Sequence, residues 1–379
     1  MNFAFTPEQE QIGEAIRKIC TRFDDAYWLK KDKEGGFPKE LHQALARDGW
    51  LGIAMPEEFG GSGLGITEAA VMMQTIAESG AGFSGASAVH MNIFGLNPVV
   101  VFGTKEQKKR MLPGLIAGKE RACFAVTEPN TGLNTRSLKT KAVKKGKKYL
   151  VSGQKVWIST AQVAEKVLLL TRTEAGLTLF YTDFDRKQIE VREIEKMGRH
   201  AVDSNQVFFD AYPVPEEDRI GEEGKGFEYI LHGMNPERIL IASESVGLGR
   251  CALKRAAAYA RERIVFDRPI GKNQGIQHPL AANWMALEAA NLMVYKAAWL
   301  YDAGKPSGAE ANSAKYLAGE ACFDACQQAV MTFGGFGYAK EYHVERYLRE
   351  SFVGRIAPVT PQLILSFIAE RVLGLPKSY

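Results

Sequence analysis

Two short stretches carry residue types suited to holding a flat polar ring. Residues 124–134 read Phe-Ala-Val-Thr-Glu-Pro-Asn-Thr-Gly-Leu-Asn, and 155–160 read Lys-Val-Trp-Ile-Ser-Thr. In the first, the apolar run Phe124, Ala125, Val126 is stopped by Thr127-Glu128-Pro129, and Asn130, Gly132 and Asn134 mark a turn. A strand ending this way offers backbone N–H groups and a hydroxyl to a heterocycle. In the second, alternation points Val156 and Ile158 inward and puts Trp157 and Ser159 together on the other face. An indole beside a hydroxyl suits a planar ring with a hydrogen-bonding edge. On spacing alone the plainer reading, a β-hairpin core with a structural Trp, is the stronger of the two.

A third candidate is Asn235-Pro236-Glu237-Arg238. Asn235 as N-cap and Pro236 in the first turn would make Glu237 a charge at a helix N-terminus. A helix N-terminus stabilises the ionised form and apolar burial disfavours it.

These pieces resemble the acyl-CoA dehydrogenase family, and the resemblance runs from about residue 3 to the C-terminus. It implies an FAD site built from Phe124, Val126, Thr127, Gly132, Leu133, Trp157, Ile158 and Ser159, with Thr127 at the flavin's pyrimidine side. Ser159 stands where the family usually has a Thr facing flavin N5. It keeps the hydroxyl and loses a methyl, so a looser rotamer is expected. Leu133-Asn134 replaces a common Ser-Asp, leaving only the Leu133 N–H as donor and removing the Asp charge. Arg263-Ile-Val-Phe266 followed by Gln274 resembles the segment gripping the FAD diphosphate and adenosine, with the Arg reaching a neighbouring subunit's FAD. An Arg fork suits a diphosphate. Phe333-Gly334-Gly335-Phe336-Gly337 resembles the adenosine-side loop, where adjacent glycines admit a ligand close to backbone. It reads equally as a helix C-cap after Met331, which replaces a frequent Gln. Thr360 and Gln362 match the last flavin-binding turn.

The family places its catalytic Glu at one of two positions. The commoner falls on Pro358, which has neither a carboxylate nor an N–H. The other falls on Glu237, as in the isovaleryl-CoA and long-chain members. The resemblance thus implies FAD-dependent dehydrogenation of an acyl-CoA to the trans-2-enoyl-CoA. Glu237 takes the α-proton and flavin N5 the β-hydride; Asn235, Arg238 and Leu133 contact substrate. Electron-transfer flavoprotein is the implied acceptor and a homotetramer the implied assembly. Two alternatives stand beside this: a flavin oxidase or monooxygenase on the same fold, and a non-catalytic flavin protein that binds nucleic acid.

Composition bounds the rest. The 379 residues suffice for two or three domains, and a net charge of +4 is too mild for a nucleic-acid protein. The Lys-rich stretch 139–148 reads as a solvated hairpin turn. Five scattered Cys give no disulfide framework or paired CxxC, and six His show no ligand spacing, so no metal is expected. No apolar run approaches 18 residues and no signal pattern opens the chain, so no membrane association is expected and cytoplasmic residence is the default.

Periodicity divides the chain into three parts. Residues 1–120 read as helical, opened by a capping box at Thr6 and Gln9; a second box sits at Thr104 and Gln107. Residues 121–220 carry short β-branched runs at 139–143, 148–151, 154–159, 166–171, 177–182, 189–194 and 206–210, an antiparallel sheet. Residues 225–379 return to helix, expected at 237–263, 275–303, 310–331 and 361–374. Gly247-Leu-Gly-Arg-Cys-Ala fits a loose dinucleotide fingerprint. With no strand before it, it reads instead as small residues for close helix packing. The fold class is therefore α+β multidomain, an N-terminal α-domain, a middle β-domain and a C-terminal four-helix-bundle-like α-domain, which is also the family's fold.

Overall fold

The computed structural model describes residues 4–378, apart from the side chains of Asn92 and Phe94. Helices fill the first part: α1 (Pro7–Cys20), α2 (Asp25–Glu34), α3 (Lys39–Arg47), α4 (Ile66–Ile76), α5 (Gly82–His90), α6 (Asn97–Phe102) and α7 (Lys105–Ile116). Both capping boxes form. Thr6 Oγ1 accepts from Gln9 N at 3.2 Å, and Thr104 Oγ1 from Gln107 N at 3.2 Å. The Gly-rich loop before α4 is tied down from far along the chain. Asp302 accepts from the backbone N–H groups of Ile66 and Thr67, each at 2.8 Å, so a carboxylate caps the α4 N-terminus.

The strands are β1 (Ala122–Ala125), β2 (Lys141–Lys145), β3 (Lys148–Ser159), β4 (Lys166–Thr173), β5 (Gly176–Asp183), β6 (Glu190–Glu193), β7 (Ser204–Pro215) and β8 (Arg219–Ile220). They form one sheet in the order β6-β7-β3-β2-β4-β5-β8, with β1 added on β4. Pairing is antiparallel except for β1 with β4 and a single β2–β4 pair, which are parallel. The Lys-rich stretch is the β2–β3 hairpin, turning at Gly146 with φ +61°. The break expected at Ser152-Gly153 is absent. β3 runs through it with a shift in register, and Gly153 sits at φ +150° where a Cβ would meet Thr140 at under 3 Å. Gly153 thus marks a bulge in one strand, not a turn between two.

The third part holds α8 (Gly226–Glu262), α9 (Gln274–Asp302), α10 (Gly308–Phe333), α11 (Val344–Ile356) and α12 (Pro361–Phe367), with a small hairpin of β9 (Ile264–Val265) and β10 (Arg268–Pro269) after α8. Helix α8 corrects the sequence reading. It begins at Gly226, so Asn235 is not an N-cap, Pro236 lies in the helix interior, and Glu237 is far from any helix terminus. An interior proline removes one backbone bond and costs about 3 kcal/mol. Burial of α8 against α4, α9, α10 and α11 outweighs that cost. Gly247 and Gly249 show how tight the packing is: an added Cβ would lie 2.3 Å from Gln74 O and 2.6 Å from Leu287 Cδ2. Small residues for helix contact is what they are. Helix α11 was not foreseen as an element. An 18-residue window within 344–372 is apolar enough in composition to cross a membrane, with mean hydropathy 1.4, but the segment is divided between α11 and α12.

Candidate active site

The two ring-holding stretches lie side by side. Val156 N donates to Thr127 O at 3.0 Å. Beneath them is a residue that alternation misplaces. Lys155 is fully buried, donating from Nζ to Val126 O and to Glu128 Oε1, each at 3.0 Å. Glu128 in turn accepts from the N–H groups of Lys139 at 2.6 Å and Thr140 at 2.9 Å. Burial pulls the Lys155 ammonium down to about 8, and its contacts hold the Glu128 carboxyl below the usual range. Strict alternation fails because the β3–β7 register shifts between Lys155 and Ile158, with Trp157 at φ +62°. The outcome at the rim agrees with expectation all the same. Val156 and Ile158 are buried, and Trp157 is 59% exposed beside a part-exposed Ser159. Phe124 and Val126 pack into the core that holds α4 and α8.

The Ser159 hydroxyl is not loose. Arg199 Nη2 donates to Ser159 Oγ at 3.0 Å and to Ser204 Oγ at 3.4 Å, and Nη1 donates to Ser87 Oγ at 3.1 Å. Because Ser159 accepts from the guanidinium, its own proton is free to point at a ring. Arg199 sits at φ +56°, a strained conformation for a long side chain, and the loop around it is pinned. Arg349 Nη1 donates to Met197 O at 2.8 Å, and the His200 ring bonds Asp32 O at 2.7 Å.

Ser87 belongs to α5, and one turn further on is His90. Its Nε2 lies 2.5 Å from Glu237 Oε2, and its Nδ1 bonds Glu244 Oε1. Glu237 is 6% exposed and Glu244 fully buried; both lie on α8, seven residues apart and so on one face. The two carboxylates raise the imidazole to about 10, and burial pushes the Glu244 carboxyl up. Helix α5 is fixed by Glu350 of α11, which accepts from Ser84 N at 3.1 Å and Ser84 Oγ at 2.7 Å and pairs with Arg346 at 3.1 Å. A path of named contacts therefore runs from Ser159 through Arg199 and one turn of α5 to Glu237. Beside it, Arg238 Nη1 donates to Asn235 Oδ1 and Met234 O, each at 3.2 Å. Its Nε is buried with no partner among the described residues.

Three of the remaining positions share a second region. Arg263, Gly334 and Gly335 line one groove of about 480 Å³ with Tyr259, Phe333 and Phe336. Arg263 stands over the Phe336 ring at 5.6 Å. Gly334 is also the C-cap of α10 at φ +60°, so the helix C-cap reading of the Phe333–Gly337 run holds. A Cβ built on Gly132, Gly334 or Gly335 meets nothing within 4 Å, so the backbone there is open to a ligand. Leu133 and Met331 are exposed, and Phe266 is 93% exposed at the tip of the β9–β10 hairpin. Gln274 is exposed at the start of α9, and Gln362 in the first turn of α12, where Thr360 Oγ1 caps Leu363 N at 3.4 Å. Asn134 turns back on Ser137 Oγ at 2.8 Å. Pro358 lies half-buried between α11 and α12. A rim with an exposed indole and hydroxyl, together with an Arg–Gly-Gly groove, fits a flavin ring and a diphosphate.

Residues 6–119, 123–212 and 224–373 match the N-terminal, middle and C-terminal domains of acyl-CoA dehydrogenase. This chain belongs to the acyl-CoA dehydrogenase family. Acyl-CoA dehydrogenase FadE12 of Mycobacterium tuberculosis is 36% identical over 390 residues, spanning 100% of this chain and 99% of that protein. The caffeyl-CoA reductase-Etf complex subunit CarC of Acetobacterium woodii is 34% identical, spanning 95% and 96%. The structure of butyryl-CoA dehydrogenase from Megasphaera elsdenii superposes with a TM-score of 0.94 at 29% identity, covering 98% of this chain and 100% of that one. FAD is the family's cofactor, and this acyl-CoA dehydrogenase has the residue types to hold it. His90, Glu244, Arg199 and Lys155 were missed from sequence. The one linear hint was a Glu seven residues beyond Glu237 in an otherwise apolar, Ala-rich helix.

Proposed function

We propose that this acyl-CoA dehydrogenase oxidises its thioester between C2 and C3 with Glu237 as the base. The observation that carries the reading is a buried carboxylate in mid-helix, where no helix cap explains it, in contact with His90, which lies one turn of α5 from the Ser87 that shares Arg199 with Ser159. Bound FAD supplies the acceptor for the hydride leaving C3. Glu237 takes the C2 proton, and Ser159, set by Arg199, orients the ring edge. Trp157 covers the ring and Arg263 with Gly334 and Gly335 receives the diphosphate. Phe124, Val126, Thr127, Gly132, Leu133, Ile158, Phe266, Gln274, Met331, Thr360 and Gln362 complete the FAD contacts. Asn235 and Arg238, with its unpaired Nε, face the CoA end, and Leu133 offers its N–H to substrate.

Three domains, 1–120, 121–220 and 225–379, divide this work. Electron-transfer flavoprotein is the acceptor we favour, in line with the Etf complex named for the Acetobacterium woodii relative. A homotetramer is supported by Met285, Leu292 and Trp299, large exposed apolar residues spaced by seven along α9, and by the exposed Phe266. Residence in the cytoplasm is supported by five buried, unpaired cysteines.

The test is anaerobic titration of the purified yellow protein with straight-chain, branched and aryl acyl-CoA thioesters. At least one should bleach the visible flavin band and yield one enoyl-CoA per flavin. No bleaching across the panel contradicts the reading, and in a parallel aerobic run oxygen uptake as fast as bleaching makes the protein an oxidase instead. Arg263→Ala, removing a charged donor to the diphosphate, should raise the FAD dissociation constant about 10–100-fold, measured by fluorescence titration of apoprotein.

A further inference from the structure

Glu237 does not stand alone, and the groups behind it have no part in the mechanism above. His90 joins it to Glu244, and all three are buried where α5 crosses α8. We infer that Glu237, His90 and Glu244 act as one acid–base unit, His90 and Glu244 being positioning residues that hold and aim the base where α5 crosses α8. This rests on the reading of Glu237 as the base.

The geometry argues it in steps. A carboxylate buried alone tends to take up a proton and so stops being a base. A cation against it prevents that, but also weakens it as a proton acceptor. His90 contacts Glu237 through one nitrogen and Glu244 through the other, so an imidazolium here is flanked by two carboxylates. The unit then carries a single net negative charge, wherever the proton between Nδ1 and Glu244 rests. Glu244 offsets the charge of the cation that Glu237 faces. Glu244 Oε2 is buried with no hydrogen-bond partner among the described residues, so His90 is the group that bonds this carboxylate there.

The other charged groups nearby leave the assignment intact. Arg199 faces Glu237 and Glu244 from the β6–β7 loop, with Asp203 on the same loop. Arg238 adjoins Glu237 on α8. Glu350 of α11 is paired with Arg346. In turnover the C2–H bond breaks and its proton forms an O–H bond on Glu237. The electron pair stays on carbon to make the C2–C3 double bond as the C3 hydride leaves for FAD. The unit passes from a net negative charge to neutral as the proton arrives among these buried side chains.

The experiment is the pH profile of anaerobic flavin bleaching in FAD-loaded wild type, His90→Asn, Glu244→Gln and Glu237→Gln, with whichever thioester of the panel reduces wild type fastest. His90→Asn leaves two carboxylates facing each other, so the low-pH edge of the profile should move up by about one to two pH units. Activity should return at higher pH. Glu244→Gln keeps the shape and an acceptor but removes the offsetting charge. Its edge should move down, with a plateau lowered by about tenfold or more. FAD content and the circular dichroism spectrum establish that each variant is folded. If Glu237→Gln is inactive while both other variants keep the wild-type edge, or shift it in the same direction, the three-residue unit is wrong and the base assignment stands. If Glu237→Gln retains wild-type bleaching, the base assignment itself fails.

Discussion

Replacing Glu237 with Gln should slow flavin bleaching by about 10²–10⁴-fold, the usual contribution of a positioned general base. The substitution keeps the length of the side chain and can still bond His90, so folding and FAD content should be unchanged. The loss should appear in kcat more than in KM, because the carboxylate acts on a proton that moves only in the transition state. Stopped-flow absorbance at saturating thioester measures it directly. The size of the effect also bears on Pro358. A proline there supplies neither carboxylate nor N–H to the substrate, so Glu237 has no substitute at the family's other base position.

The second large effect is predicted far from the base. Lys155→Ala would leave Glu128 buried against two backbone N–H groups with its cation removed. Breaking a buried ion pair from one side costs about 3–5 kcal/mol. Both ring-holding stretches depend on this pair, since Lys155 also bonds Val126 O, beside Thr127. Chemical unfolding should show the loss of stability, and FAD should be lost on desalting. The double variant Lys155→Met with Glu128→Gln should recover much of the stability, because removing both charges leaves none unpaired. Equal damage in the single and double variants would mean that the pair is not what joins the two stretches.

Local signals were legible and long-range ones were not. The capping boxes at Thr6 and Thr104 involve residues three apart, so sequence shows them whole. Asn235-Pro236 carries the same kind of local signal and misleads. It reads as a helix start, yet α8 begins at Gly226 because tertiary burial overrides an interior proline. Ser152-Gly153 reads as a turn and is a bulge, since a Gly at φ +150° serves either. At the candidate site, Glu237, Arg263 and Gly334 were singled out through resemblance. The groups that govern Glu237 did not: His90 lies 147 residues from it in sequence and Arg199 is one Arg in a polar loop. No spacing rule joins residues that meet only where a helix of the first part crosses one of the third.

The placement of the base can be seen directly. A crystal structure of the FAD-loaded protein with a non-reacting acyl-CoA thioether should show a Glu237 carboxylate oxygen about 3–3.5 Å from C2 of the acyl group, the separation of a reactive pair. The opposite face of that carbon should lie against the flavin. A ligand bound in that pocket with the Glu237 carboxylate out of reach of C2, or with another side chain in its place, would contradict the account.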